Sequence, residues 1–453
     1  MVRPSGDRKV IDDNTDKGGL GVTDNSARER LVTDADRVRF RREITEAVEW
    51  LARYGADEAG GVTRLLYDAA WSSAQRALAE KMAADGLRPY FDDVGNLFGR
   101  LEGRKPGLPK IVTGSHVDTV VSGGKLDGAY GVLAGMIALK FLREKFGPPL
   151  RTLEAASLCE EEGSRFPLTY WGSGNVCGKY DIASVPNLCD ADGVSLKEAM
   201  ETAGFGLGLH ASPRRNDIAA FIELHIEQGY VLEREGLALG IVDGIVGQRR
   251  FAVRVEGAAN HAGTTPMPGR RDAVAGACEM IGWLERAALA REDGLVATAG
   301  RLEVRPNVAN VIAGEAVFSV DVRDKDAGEL DRFCGAFRQS FAEIAARRGL
   351  SVEVSEWMNA EPVRMSEEMN RAMMSVCEAA GYSYRSMYSG AGHDSQVFRG
   401  AFPTTMLFVP SRDGISHSPL EHTEPEQLAD GIAALAEWLF LHAYKEEFIH
   451  EKI

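Results

Sequence analysis

Short apolar runs that stop abruptly in clusters of Gly, His, Asp and Glu constrain this chain more than any other feature. Lys110-Ile-Val-Thr113 runs into Gly114-Ser-His-Val-Asp118, and Thr152 to Cys159 runs into Glu160-Glu161-Glu162. Ala219 to Leu224 ends at His225, and Thr404 to Val409 precedes a loop holding His417. Each run has the length and composition of a buried strand, and Gly128 to Phe141 between the first two reads as a buried helix. Strands separated by helices predict an α/β fold with a mixed, largely parallel sheet. Ligands of such sheets bind beyond the carboxyl ends of the strands, where every one of these polar clusters falls.

The middle of the chain follows another pattern. Arg249 to Glu256 alternates, with Phe251, Val253 and Val255 on one face. Asp272 to Leu289 is an amphipathic helix, Leu295 to Val304 and Ala316 to Val322 are strands, Ala327 to Arg347 is a helix and Ser351 to Val354 a last strand. The order β-α-β-β-α-β is that of a ferredoxin-like α+β unit. The expected organisation is a catalytic domain of residues 39–247 and 362–453, interrupted by a lid and dimerisation domain of residues 248–361. Residues 1–38 are polar and aperiodic and read as a mobile arm.

A net charge of −15 gives no general attraction to phosphate backbones, which disfavours nucleic acid as a partner. No apolar run approaches the ~20 residues of a bilayer-spanning helix, and no apolar signal-peptide core is evident. The six cysteines contain no C-x-x-C pair, which suits a reduced, cytoplasmic protein with no membrane partner.

The clusters carry the chemistry. Five of the nine histidines stand in stretches dense with small polar and acidic residues. Imidazole and carboxylate together suit zinc, and also manganese or cobalt. The candidate ligands exceed what one tetrahedral ion needs, so two ions sharing a bridging carboxylate would use them. Asp118, two residues beyond His116, is placed to accept that ring's other N–H. Three adjacent carboxylates at 160–162 repel one another, and a strand leading straight into them argues for a cation beside them. One would bind metal while a neighbour moved a proton, as in metal-assisted hydrolysis.

Taken in order, G-S-H-x-D-T-V at 114–120, G-G-x-x-D-G at 123–128, E-E-G-S-R-F at 161–166 and E-L-H-I-E-Q-G at 223–229 make a specific set. N-H-A-G-T-T-P-M at 260–267, P-N-x-x-N-V-I at 306–312, G-A-G-H-D at 390–394 and S-H-x-P-x-E at 416–421 extend it. Together they resemble the hydantoinase/carbamoylase branch of the M20 metallopeptidase superfamily, from about Gly60 to the C-terminal helix. The resemblance implies two divalent ions, zinc or manganese. His116, Asp127 and His225 would hold one, and Asp127, Glu162 and His417 the other. It implies Glu161 as general base and His261 as an oxyanion-stabilising residue that reaches the site across a homodimer interface. Asp118 would support catalysis beside His116, and Gln248, Asn310, Arg323 and His393 would contact substrate. Peptidase relatives carry a carboxylate where this chain has His225, which points to the amidohydrolases. The implied substrate is a small anionic ureido compound: allantoate, with an N-carbamoyl-L-amino acid or ureidopropionate as alternatives. A non-catalytic dimeric binding protein is the reading from another class.

Overall fold

The four apolar runs do form strands, and they lie side by side. The computed structural model describes residues 31–291 and 294–446. Its larger sheet places Leu153–Leu158, Lys110–His116, Ile218–Ile226 and Thr404–Val409 next to one another in that order, all parallel. Their residues are almost continuously buried, as expected of parallel strands covered on both faces. Five further strands complete the sheet: Arg88–Phe91, Leu97–Leu101, Leu239–Ile245, Val363–Arg364 and Tyr384–Ser389. Outside the central four, pairing is antiparallel except at Tyr384–Ser389. The expectation of a largely parallel sheet therefore holds only for its centre. Arg88–Phe91 and Leu97–Leu101 show why: the five residues between them allow only an antiparallel return. Asp92 tightens that turn by accepting the Val94 and Asn96 amides at 3.1 and 2.9 Å.

Helix Ala129–Phe146 is apolar nearly all round and buried along most of its length. It packs on the central strands with helices Asp34–Ala52 and Pro425–Ala443 beside it. Close approach is possible because Gly131 has no side chain; a Cβ there would stand 2.3 Å from the Leu224 carbonyl oxygen and 2.8 Å from Ser115 Cβ. The first helix begins at Asp34, inside the stretch expected as an arm, because Thr33 and Asp36 form a reciprocal cap. The remainder of that stretch, residues 1–30, lies outside the described residues.

The second sheet has the expected β-α-β-β-α-β order. Gly247–Glu256 and Glu315–Asp324 are its central strands, with Ser351–Ala360 on one side. Val296–Thr298 and Leu302–Arg305 both pair with Glu315–Asp324 on the other side. All pairs are antiparallel. The single strand expected over 295–304 is thus split, because residues 299–301 face only Ser319 and Val320, which inserts one extra residue. Helices Ala273–Leu289 and Ala327–Arg348 supply Met280, Leu284, Phe337 and Phe341 to a core with Phe251, Val253, Val255, Phe318 and Val320. Among the described residues, no helix is long and apolar enough to cross a membrane.

Replacing Gly131 with Ala is expected to cost about 1–3 kcal/mol, the usual range for overpacking. A urea unfolding curve would register it as a lowered midpoint; an unchanged midpoint would mean the helix can withdraw from the sheet freely.

Candidate metal centre

The sheet delivers its functional side chains from the same ends of adjacent strands. His116 is the last residue of Lys110–His116, and His225 the penultimate residue of Ile218–Ile226. Glu161 and Glu162 follow Leu153–Leu158, and His417 lies in the loop after Thr404–Val409. Asp127 sits just ahead of helix Ala129–Phe146. These side chains gather into two groups, His116–Asp127–His225 and Asp127–Glu162–His417, with Asp127 common to both and the donor atoms of each group within 4.8 Å of one another.

Asp127 Oδ1 is 3.2 Å from His225 Nε2 and 3.9 Å from His116 Nε2. Its Oδ2 is 3.1 Å from His417 Nε2, which stands 3.5 Å from Glu162. The Nδ1 atoms of His116 and His225 face the backbone carbonyls of Asp118 (3.0 Å) and Ile226 (2.8 Å). Both rings therefore turn Nε2 toward Asp127, as metal-binding imidazoles do. The donor set fits hard or borderline divalent ions: imidazole nitrogen and carboxylate oxygen, with no thiolate in either group.

Electrostatics agree. Burial works against charging His225, yet its hydrogen bond and ion pair with Asp127 raise it to about 9. The hydrogen bond to Asp127 likewise raises His417 to about 9. Burial opposes ionisation of Asp127, but those same imidazoles hold it well below the usual carboxylate range. Glu161 is pushed well above its ordinary value by burial and by Glu162, and Glu162 is raised by burial and by Asp127. Carboxylates crowded in this way hold protons for want of positive charge, and a divalent cation would supply it.

Asp118 does orient His116, but through its backbone carbonyl. Its carboxylate is 3.9 Å from His116 Nδ1 and instead accepts the Glu162 amide at 3.1 Å. The side chain thus fixes the acidic turn rather than the ring. Glu161 Oε2 lies 3.8 Å from His116 Nε2, at the edge of the first group.

A cavity of ≈ 230 Å³ opens over these residues. Glu161, Glu162, His417, Gln248, Arg323 and His393 all line it. Gln248 and Arg323 are cross-strand partners in the second sheet. Arg323 is already held: Nε and Nη2 donate to Asp321 at 3.0 and 3.1 Å, and Nη1 to the Gly390 carbonyl at 2.7 Å. Burial and the neighbouring His225 keep His393 well below the usual imidazole range, so it faces the cavity uncharged. His261 and Asn310 do not line this cavity; they sit exposed at a small two-stranded sheet in which Val311 pairs with His261. Tyr170, Gln228, Arg250 and Gln396 also line the cavity and were not singled out from the sequence. Gln396 was legible, three residues beyond His393; Tyr170 and Arg250 come from segments with no motif of their own.

The chain matches the model for peptidase family M20/M25/M40 over residues 112–440. It is 48% identical over 411 residues to allantoate amidohydrolase of Bacillus subtilis (strain 168), covering 91% of this chain and 100% of that protein. Identity to the N-carbamoyl-L-amino-acid amidohydrolase of Paenarthrobacter aurescens is 38% over 395 residues, covering 87% and 95%. The crystal structure of a hydantoinase/carbamoylase family amidase from Burkholderia multivorans superposes with a TM-score of 0.85 at 33% identity, covering 89% of this chain and 98% of that one.

Since His225 and His417 titrate near 9 without a cation, both carry protons at neutral pH that a metal must displace. Zinc or manganese binding to the metal-free protein is therefore expected to release protons and to tighten as pH rises toward about 9. Calorimetry in buffers of different ionisation enthalpy measures this; buffer-independent heats would contradict the assigned ligands.

Proposed function

The chain belongs to peptidase family M20/M25/M40, and from the site its fold assembles we propose an allantoate-hydrolysing amidohydrolase with two divalent ions. It is a hydrolase acting on linear C–N bonds. The reaction adds one water across a ureido group of allantoate and yields ureidoglycine, ammonia and carbon dioxide. The carrying observation is a pair of ligand groups that share buried Asp127, with Glu161 beside them and Arg323 on the same cavity.

When bound, the ions polarise the ureido carbonyl and bring the pKa of water toward neutrality. The protein's own groups do the rest. Glu161 takes a proton from the attacking water and delivers it to the departing nitrogen. Its raised proton affinity suits both halves of that transfer once nearby cations offset part of the shift. Arg323 gives Nε and Nη2 to Asp321 and Nη1 to the Gly390 carbonyl, which leaves one N–H on each Nη atom for the substrate carboxylate, a pairing its planar fork favours. Gln248, anchored to Asp321 at 2.7 Å, and uncharged His393 offer hydrogen bonds to ureido nitrogens and oxygens.

Residues 248–361 act in this reading as lid and dimerisation domain. The small two-stranded sheet beside His261 and Asn310 serves the neighbouring subunit's cavity, where His261 stabilises the developing oxyanion. The enzyme works as a cytoplasmic homodimer. The greater identity to an allantoate amidohydrolase than to an N-carbamoyl-L-amino-acid amidohydrolase supports allantoate over carbamoyl amino acids.

Ammonia release from allantoate, N-carbamoyl-L-amino acids and ureidopropionate, with zinc- or manganese-loaded protein, tests the substrate. Allantoate is expected to turn over fastest; preference for a carbamoyl amino acid would move the pocket assignment while leaving the metal groups intact. The Glu161→Gln variant is expected to lose roughly 10²–10⁴-fold in kcat, the range for a positioned acid–base group, while keeping its metal content. Retained turnover would remove Glu161 from the proton transfer.

A further inference from the structure

Glu421 belongs to neither ligand group, yet it joins the two loops on which the shared site depends. Its Oε1 accepts the backbone N–H groups of Leu126 and Asp127 at 2.8 and 3.1 Å. Its Oε2 accepts the Ser416 hydroxyl at 2.8 Å. Ser416 immediately precedes His417, and its Oγ lies 3.2 Å from Asp127 Oδ2. Gln228 Nε2 closes the ring, 3.0 Å from Asp127 Oδ2 and 3.1 Å from Ser416 Oγ. One buried carboxylate thus grips the backbone of the bridging aspartate with one oxygen and the neighbour of His417 with the other.

The sequence makes room for this grip. A Cβ on Gly124 would fall 2.0 Å from Glu421 Oε1, so the second glycine of G-G-x-x-D-G leaves the space the carboxylate fills. The loops are more than 280 residues apart along the chain, as the Ser416–Asp127 separation of 289 shows. Asp127 and His417 come from different elements and stand 3.1 Å apart; Glu421, four residues beyond His417 on the same loop, ties that loop to the backbone of Leu126 and Asp127.

We propose that Glu421 is a positioning residue that sets the distance between Asp127 and His417, and thereby the affinity of the Asp127–Glu162–His417 group for its cation. The inference rests on the two-ion reading above. Loss of the brace lets the 416–417 loop drift from Asp127, weakening the second ion while the His116–Asp127–His225 group keeps most of its hold. Glu421 does not line the cavity, so its removal lowers kcat through metal occupancy and leaves KM nearly unchanged.

The test measures metal content after dialysis against a weak chelator, and zinc affinity by competition with a chromophoric chelator. It uses the full chain as wild type, Glu421→Ala, Glu421→Gln, Gly124→Ala and His417→Ala. Wild type is expected to keep both ions and His417→Ala one. Glu421→Ala and Gly124→Ala are expected to bind the second ion roughly 10–100-fold more weakly, the range for groups that support metal ligands. Excess zinc should restore their kcat. Glu421→Gln, whose amide oxygen still accepts both N–H groups, is expected to stay near wild type. Wild-type affinity in both Glu421→Ala and Gly124→Ala would overturn the inference alone, as would equal loss in Glu421→Gln and Glu421→Ala. A single ion in wild type would overturn the two-ion reading and the inference with it. Should Glu421→Ala not fold, Gly124→Ala and Glu421→Gln still decide the question.

Discussion

Buried negative charge is the condition around which this protein is arranged. Asp118, Asp127 and Glu161 are all nearly inaccessible to solvent, and an isolated carboxylate in such surroundings is strongly penalised. The ion pairs of Asp127, Glu161 and Glu162 are all with histidine. Imidazoles can neutralise a carboxylate in the absence of metal and release the proton to solvent when a cation takes its place. A lysine or arginine in the same place would hold its charge and compete with the ion. The same residues thus pair with one another without metal and make up the two candidate ligand groups.

That arrangement demands unusual backbone. Glu160, Gln228 and His417 have φ of 55°, 57° and 54°, and Tyr170, beside the cavity, has 61°. Left-handed conformations cost non-glycine residues of order 1–3 kcal/mol and persist where tertiary contacts over-determine them. The contacts are visible. Glu160 Oε1 accepts the Phe166 amide at 3.3 Å, and Gln228 is held by Ser411 at 3.0 Å through its own amide. Glu160 and Gln228 each stand two residues beyond a central strand, where the chain must turn sharply while still aiming side chains at one point.

Much of this could be read from the order of residues. The four central strands, with histidines and carboxylates at or beyond their ends, were legible because parallel strands buried on both faces leave continuous apolar runs, and the polar clusters interrupt them. The margins were not. Leu97–Leu101 and Leu239–Ile245 carry glycines and lie in less regular surroundings, so they offer little periodicity. The arm was carried too far, to residue 38, because the early turns of helix Asp34–Ala52 are charged and only the Thr33 cap marks its start. Asp118 was correctly drawn to His116, but spacing could not tell a carbonyl from a carboxylate.

The sequence by itself determined the chemistry available: which imidazoles and carboxylates exist, which lie at strand ends, and that an α/β sheet would present them together. Tertiary structure decided the partnerships. It made Asp127 common to two groups, held Arg323 between Asp321 and the Gly390 carbonyl, and left His261 outside the cavity. It also brought Glu421, on the loop of His417, against the backbone of Leu126 and Asp127. The reason is physical: composition and periodicity are local properties, whereas a distance of three ångströms between residues hundreds of positions apart depends on strand order and loop path.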